Sequence, residues 1–318
     1  MASENTGRPT KNERRTQARE QARLAREQEK KREKRKRFFL QGGIVIGVLA
    51  ILGIVALVLT QTMKPAGPGP ENMASGGAVF TKDLKVVKGP ALESGAEREA
   101  RSVNRDDLPL DVTVYADYMC PACGAFEQQY GTMLENYVGA GDIELEIYPL
   151  NFLDGASLGA KYSTRSANTF ACVVEEQPDV AFKLHTRLLS PEVQPQEGTT
   201  GLSDDQLLSE AEAAGAKLTP ELRKCVKDVQ FGSFISANYK SASETGIKGL
   251  AKGALMLSSD GVNPQPEGEP QRLVSTPTVI VNGQQWNQAR DGDLESYLLK
   301  VKGEFEQQKE KSDAAKSE

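Results

Sequence analysis

The spacing of apolar and polar positions changes several times along the chain, and each change marks an element. Residues 38–60 carry no charge, and 42–59 are apolar throughout. As a helix these 23 residues would span roughly 34 Å, enough for the ~30 Å hydrocarbon core of a bilayer. Residues 111–117 read as an apolar strand. Phe126, Tyr130, Met133, Leu134 and Tyr137 then form one stripe with helical spacing from 120 to about 138. Gly139-Ala140-Gly141 ends that helix, and Ile143, Leu145 and Ile147 alternate with Glu144 and Glu146 in a second strand. Two strands joined through a helix are predicted to be parallel.

The flanking segments follow the same logic. Residues 64–78 are rich in Pro and Gly, so 61–79 is expected to be a linker, with a short strand over 79–87 and a polar, irregular stretch over 89–107. A helical region covers about 153–246, interrupted by the Pro/Gly-rich turn 191–201, with Ser203 and Thr219 as helix caps. Residues 258–271 read as loop. Thr278-Val279-Ile280-Val281 forms a strand, Asn282-Gly283 a two-residue hairpin turn, and Gln285-Trp286 the return. Asp291 is expected to open a last helix striped by Leu294, Tyr297, Leu298, Val301 and Phe305, with a charged tail at 309–318.

Charge orients this plan. Residues 1–37 hold 14 Lys/Arg and 6 Asp/Glu, a balance of +8, whereas the whole chain carries −5. The remainder is therefore −13, which argues against a nucleic-acid surface there. Lys30-Lys31-Arg32-Glu33-Lys34-Arg35-Lys36-Arg37 sits directly before the apolar run, and no comparable basic cluster follows it. The positive-inside rule then predicts a single-pass protein of the cell membrane, with 1–37 cytoplasmic, 38–60 in the bilayer and everything later extracytoplasmic. A cleaved signal peptide is the rival reading, but the basic segment and the apolar run are both too long for one, and no small-x-small site follows. Gly43-Ile44-Val45-Ile46-Gly47 fits a helix-dimer motif, although glycine is common in membrane helices in any case.

Candidate chemistry concentrates at Cys120-Pro121-Ala122-Cys123, the junction of the first strand and the striped helix. Pro121 suits the first helical position, which puts the Cys120 sulfur at the helix N-terminus. Free N–H groups and the helix dipole stabilise a thiolate there, and two cysteines one turn apart can close into a disulfide and reopen. The remaining cysteines, Cys172 and Cys225, each fall in a helical stretch (166–176 and 219–230). A bridge between them would close a 54-residue loop and contribute about 4 kcal/mol. The alternative is two buried free thiols. A zinc site would need a second close pair of ligands, and the only histidine, His185, has none within metal-ligand spacing, so no metal is expected. His185 reads as an ordinary helix position unless it folds against Cys120. Asp117, three residues before Cys120, reads either as a group that tunes the thiol or moves its proton, or as a solvated acid at a strand end.

Together, Asp117-Tyr118-Met119-Cys120-Pro121-Ala122-Cys123 and Ser275-Thr276-Pro277-Thr278-Val279-Ile280-Val281-Asn282-Gly283, with the helical insertion between them, resemble the DsbA-like thiol–disulfide oxidoreductases of membrane-anchored, actinobacterial type. The likeness covers about residues 80–308 and implies an α/β, thioredoxin-like fold with a helical insertion, preceded by one transmembrane helix. It implies that Cys120 is the attacking and leaving thiol, that Cys123 resolves, and that Pro277 is a cis-proline with Thr276 offering its backbone to an extended substrate. An edge-strand trans-proline is the alternative at 277. The resemblance also implies a second cysteine pair in the insertion, Cys172 with Cys225.

Two positions depart from the family pattern. Ala122 stands where the best-known member has histidine, which removes a source of thiolate stabilisation. An insertion over about 250–272 separates Gly246-Ile247-Lys248-Gly249 from Thr276 and is expected to reshape the substrate groove. Pro121, Ala122 and Asp117 are thus the expected tuning residues. The function implied is an extracytoplasmic oxidoreductase, with oxidase preferred to reductase; oxidase, isomerase and reductase share these residues, and the reduction potential separates them. The oxidoreductase would act on exported cysteine-containing proteins without a cofactor, and a membrane partner of DsbB or VKOR type would recycle it. The alternative is a redox-inert, membrane-anchored binding module on the same scaffold.

Overall fold

A computed structural model describes residues 67–101 and 110–316, with the isolated positions 23 and 31. The expected membrane span at 38–60, the basic segment at 1–37 and the Gly43–Gly47 motif lie outside the described residues. Among the described residues, no helix is long and apolar enough to cross a membrane.

The centre is a six-stranded sheet. In chain order its strands are β1 (Ala78–Thr81), β2 (Lys85–Val86), β3 (Asp111–Ala116), β4 (Glu144–Pro149), β5 (Thr278–Val281) and β6 (Gln284–Trp286). In space the order is β2-β1-β4-β3-β5-β6. β3 and β4 are parallel, joined by helix α1 (Pro121–Ala140), and every other neighbouring pair is antiparallel. The strand read over 79–87 is two short strands folded on each other, Phe80 opposite Val86, because Lys82–Leu84 makes a tight turn with Asp83 at φ 62°.

Alternation along β3 explains why both faces are covered. Val112, Val114 and Ala116 enter the larger core, with Phe126, Tyr130 and Leu134 of α1. Tyr115 points the other way and packs with Tyr148, Leu150 and Ile280. Met256 and Leu273 close this second face, so the insertion at about 250–272 covers the sheet. Gln285 fixes it there by accepting the Leu257 N–H at 2.7 Å.

The helical insertion comprises α2 (Tyr162–Glu176), α3 (Ala181–Leu188), α4 (Asp204–Ala214), α5 (Pro220–Lys227) and α6 (Gly232–Lys240). Ser203 forms a capping box with Gln206 at the start of α4, and Thr219 caps α5 through the Leu222 N–H. A disulfide joins Cys172 of α2 to Cys225 of α5, with Cα atoms 6.0 Å apart.

Three boundaries differ from the sequence reading. From Gly67 onward the expected linker is built into the domain: Met73 is fully buried, and Asn72 donates to Val174 O at 3.2 Å. Short-range composition marked these residues as a spacer, but their partners lie a hundred residues away. Asp291 closes a short helix, α7 (Gln288–Asp291), and the last helix, α8, runs Leu294–Lys316. Asp293 takes the capping role, accepting the Ser296 N–H at 3.0 Å. The segment read as a charged tail from 309 is the helical continuation of α8 as far as Lys316.

Candidate active site

β3 ends at Ala116, and Asp117-Tyr118-Met119 turn the chain into α1 with Cys120 as its N-cap and Pro121 as its first residue. The Cys120 carbonyl accepts the N–H groups of Cys123 (3.0 Å) and Gly124 (3.1 Å), which locks the turn to the helix start. At the other end Gly141 adopts φ 84°, and the Asp142 N–H reaches back to Tyr137 O at 2.9 Å. Cys120 therefore sits at the N-terminal end of the helix, where unpaired first-turn N–H groups favour an anion.

Both thiols are free. Cys120 is 7% exposed and Cys123 1%, so only the outer sulfur can meet a partner. The pairing of β5 with β3, Thr278 opposite Tyr115, carries the preceding loop to the same place. There the Cys120 thiol donates to the Thr276 carbonyl at 3.3 Å, and the Thr276–Pro277 peptide is cis. Beside this contact lies a groove of about 300 Å³, floored by Ala122, Phe126, Tyr130, Pro277, Val279 and Trp286. Ser275, Gln129, Gln285, Asn287 and Gln288 rim it, and among the described residues no charged side chain lines it.

The two sulfurs are electrostatically unlike. Cys120 is brought down to about 6, chiefly by the hydrogen bond from the Cys123 thiol; partial burial works against this, while the Thr276 side chain and the N–H groups of Cys123 and Ala122 add to it. Burial pushes Cys123 well above the usual thiol range, and its bond to Cys120 adds to the rise. One sulfur is thus poised as thiolate and the other as its proton-bearing donor.

Asp117 is buried rather than solvated. Its N–H points at the Cys123 sulfur at 3.5 Å, and its carboxylate accepts from Met119 N–H, Leu153 N–H and Ser163 Oγ, each at 2.8 Å. Burial raises its pKa to about 6 despite those three bonds. Pro121 and Ala122 are exposed on the first turn. Cys172 and Cys225 lie away in the insertion, bonded to each other.

Several residues at the site carried no sequence signal. Tyr118 is fully buried, and its hydroxyl bonds His185 Nδ1 at 3.1 Å. The other His185 nitrogen is 3.5 Å from Glu127, on α1. Burial opposes ionisation of Glu127, yet its contact with His185 holds the carboxyl below its ordinary range. His185 therefore packs behind the active-site turn, against Tyr118 and not against Cys120. Gln194, from the turn between α3 and α4, donates to Cys120 O at 2.9 Å and Tyr118 O at 3.4 Å. Nothing in the sequence near Tyr118 signals these contacts, since His185 and Gln194 are 67 and 76 residues away.

The family model described as Thioredoxin matches residues 105–250. Over 139 residues the chain is 27% identical to the serine/threonine-protein kinase PknE of Mycobacterium tuberculosis, a match covering 43% of this chain and 24% of the kinase. The chain thus matches about a quarter of the length of that relative. Among solved structures it is similar to oxidised DsbA of M. tuberculosis (21% identity, 71% of this chain and 93% of that one, TM-score 0.48). It is similar also to reduced DsbG of M. tuberculosis (21%, 67% and 81%, 0.46) and oxidised BdbD of Bacillus subtilis (19%, 75% and 99%, 0.45).

Proposed function

We propose that this DsbA-like thioredoxin-fold chain is a membrane-anchored, extracytoplasmic thiol–disulfide oxidoreductase that oxidises exported cysteine-containing proteins. The observation that carries the reading is the contrast between its two sulfurs: an outer Cys120 brought down to about 6 and a buried Cys123 pushed up. A thiol of low pKa is a good leaving group, so a mixed disulfide on Cys120 passes readily to a substrate thiol.

The reaction starts from the Cys120–Cys123 disulfide. A substrate thiolate attacks Sγ of Cys120, a new S–S bond forms, and the Cys120–Cys123 bond breaks with its electron pair on Cys123. We assign the proton to the carboxyl of Asp117, which is protonated below about 6 and is electrostatically coupled to Cys123. A second substrate thiolate then attacks the substrate sulfur of the mixed disulfide, and Cys120 leaves as thiolate. The substrate dithiol has become a disulfide, and two electrons have passed to the Cys120–Cys123 pair. The Thr276 carbonyl and the groove beside it offer an extended substrate a backbone acceptor and an uncharged wall.

Location rests on the apolar run 38–60 and its basic flank. The cycle requires an oxidant that takes two electrons from the reduced pair, and the resemblance to the DsbA-like oxidoreductases supports a membrane partner of DsbB or VKOR type in that role. No metal or organic cofactor takes part in these steps. The test is Cys123→Ser, which leaves Cys120 without its resolving partner. Expected are mixed disulfides with exported proteins, released by reductant and absent from Cys120→Ser. No such adducts would favour a redox-inert binding module.

A further inference from the structure

Gln194 belongs to the helical insertion, yet its side-chain amide reaches the redox turn. One N–H group goes to Cys120 O at 2.9 Å, and the same nitrogen is 3.4 Å from Tyr118 O. Tyr118 O belongs to the peptide plane that joins Tyr118 to Met119, and Cys120 O to the plane that joins Cys120 to Pro121, so the two contacts bracket the backbone that carries the Cys120 side chain. The base of Gln194 is itself fixed. Its N–H and that of Val193 both bond Ser190 O, at 2.9 and 3.1 Å, and Pro195 follows.

The approach of Gln194 depends on glycine at position 124. A Cβ there would lie 2.1 Å from Gln194 Oε1 and 3.0 Å from its amide carbon. Gly124 sits inside α1 at a normal helical position, where glycine costs stability relative to alanine, so the helix itself gives no reason for it. Making room for Gln194 does.

We propose that Gln194 is a positioning residue for Cys120: a clamp from the insertion that holds the redox turn in its thiolate-stabilising geometry, with Gly124 as the space it needs. The proposal rests on the oxidoreductase reading only in taking Cys120 as the reacting sulfur. The amide hydrogens offset the negative ends of two carbonyls next to that sulfur and keep the helix N–H groups aimed at it. The titratable groups that face Cys120 are Cys123 and Asp117, and neither touches Gln194.

The test compares Gln194→Ala, Gly124→Ala and the double variant in the reduced full chain, following the rate of Cys120 alkylation against pH and the Tm. Each single variant should slow alkylation at pH 6 by about threefold or more, on the scale of one modest hydrogen bond, with the midpoint moved to higher pH. The double variant should be no slower than the slower single one, because both remove the same contact. Gly124→Ala should keep or raise the Tm, since alanine favours the helix, so a slower thiol there cannot be blamed on unfolding. Unchanged alkylation profiles, or effects that add in full in the double variant, would overturn the proposal. This readout follows the thiol alone, so it separates failure of the clamp from failure of the oxidase reading.

Discussion

Asp117 lies against Cys123: its backbone N–H is 3.5 Å from the sulfur, and its carboxylate is sealed beneath the active-site turn by Ser163, Met119 and Leu153. The sealed acid has a consequence for stability. Its pKa rises from 3.8 to about 6 on folding, so between roughly pH 4 and 6 the folded state holds a proton that the unfolded chain has lost. Stability of the reduced protein should therefore fall as pH rises through that window, by about 3 kcal/mol from this group. Asp117→Asn should flatten that slope and slow formation of the mixed disulfide by about tenfold or more. Urea unfolding across pH and stopped-flow exchange measure the two effects.

The Cys123 thiol is the largest cause of the low Cys120 pKa. Cys123→Ala should therefore move the midpoint of Cys120 alkylation from about 6 toward the ordinary thiol range of about 8.5. At pH 6 to 7 the variant should react more slowly than the parent. A midpoint that stays near 6 would transfer the effect to the helix N-terminus.

Ala122 is exposed on the first turn of α1, beside the outer sulfur in sequence. Ala122→His places an imidazolium near the thiolate, and the alkylation midpoint should drop below that of the parent. The gain should fade above about pH 7 as the imidazole loses its proton. Alkylation profiles of the two proteins check both parts.

Cys172 and Cys225 are buried between α2 and α5, remote from the thiols in their bonding. Replacing both by alanine should cost about 2–5 kcal/mol of stability and leave the alkylation profile of Cys120 unchanged. Loss of thiol reactivity in a folded double variant would assign this bridge a part in the chemistry.

What the sequence made legible was local. The strand–helix junction at Cys120, the Asn282-Gly283 hairpin with φ of 48° and 76°, and the caps at Ser203 and Thr219 all depend on residues a few positions apart. The parallel pairing of β3 with β4 followed from the length of the connection between them. What stayed hidden is long-range. Nothing near Gln194 says that it reaches Cys120, and nothing near His185 points to Tyr118. The residues around Met73 have the composition of a spacer, but Asn72 holds Val174 O and Gly67 holds Ser233. Asp117 left its two readings open because two of the groups that hold its carboxylate, Leu153 and Ser163, come from 36 and 46 residues away in the insertion.

The central claim, that the Cys120–Cys123 pair gives its disulfide to other proteins, is tested most directly by its reduction potential. The full chain is equilibrated with glutathione buffers, and the thiols are trapped by alkylation. The account predicts a potential in the range of about −120 to −180 mV, with exchange complete within minutes. A value near about −270 mV or lower would contradict it, making the pair a reductase if exchange is fast and a structural disulfide if exchange is slow.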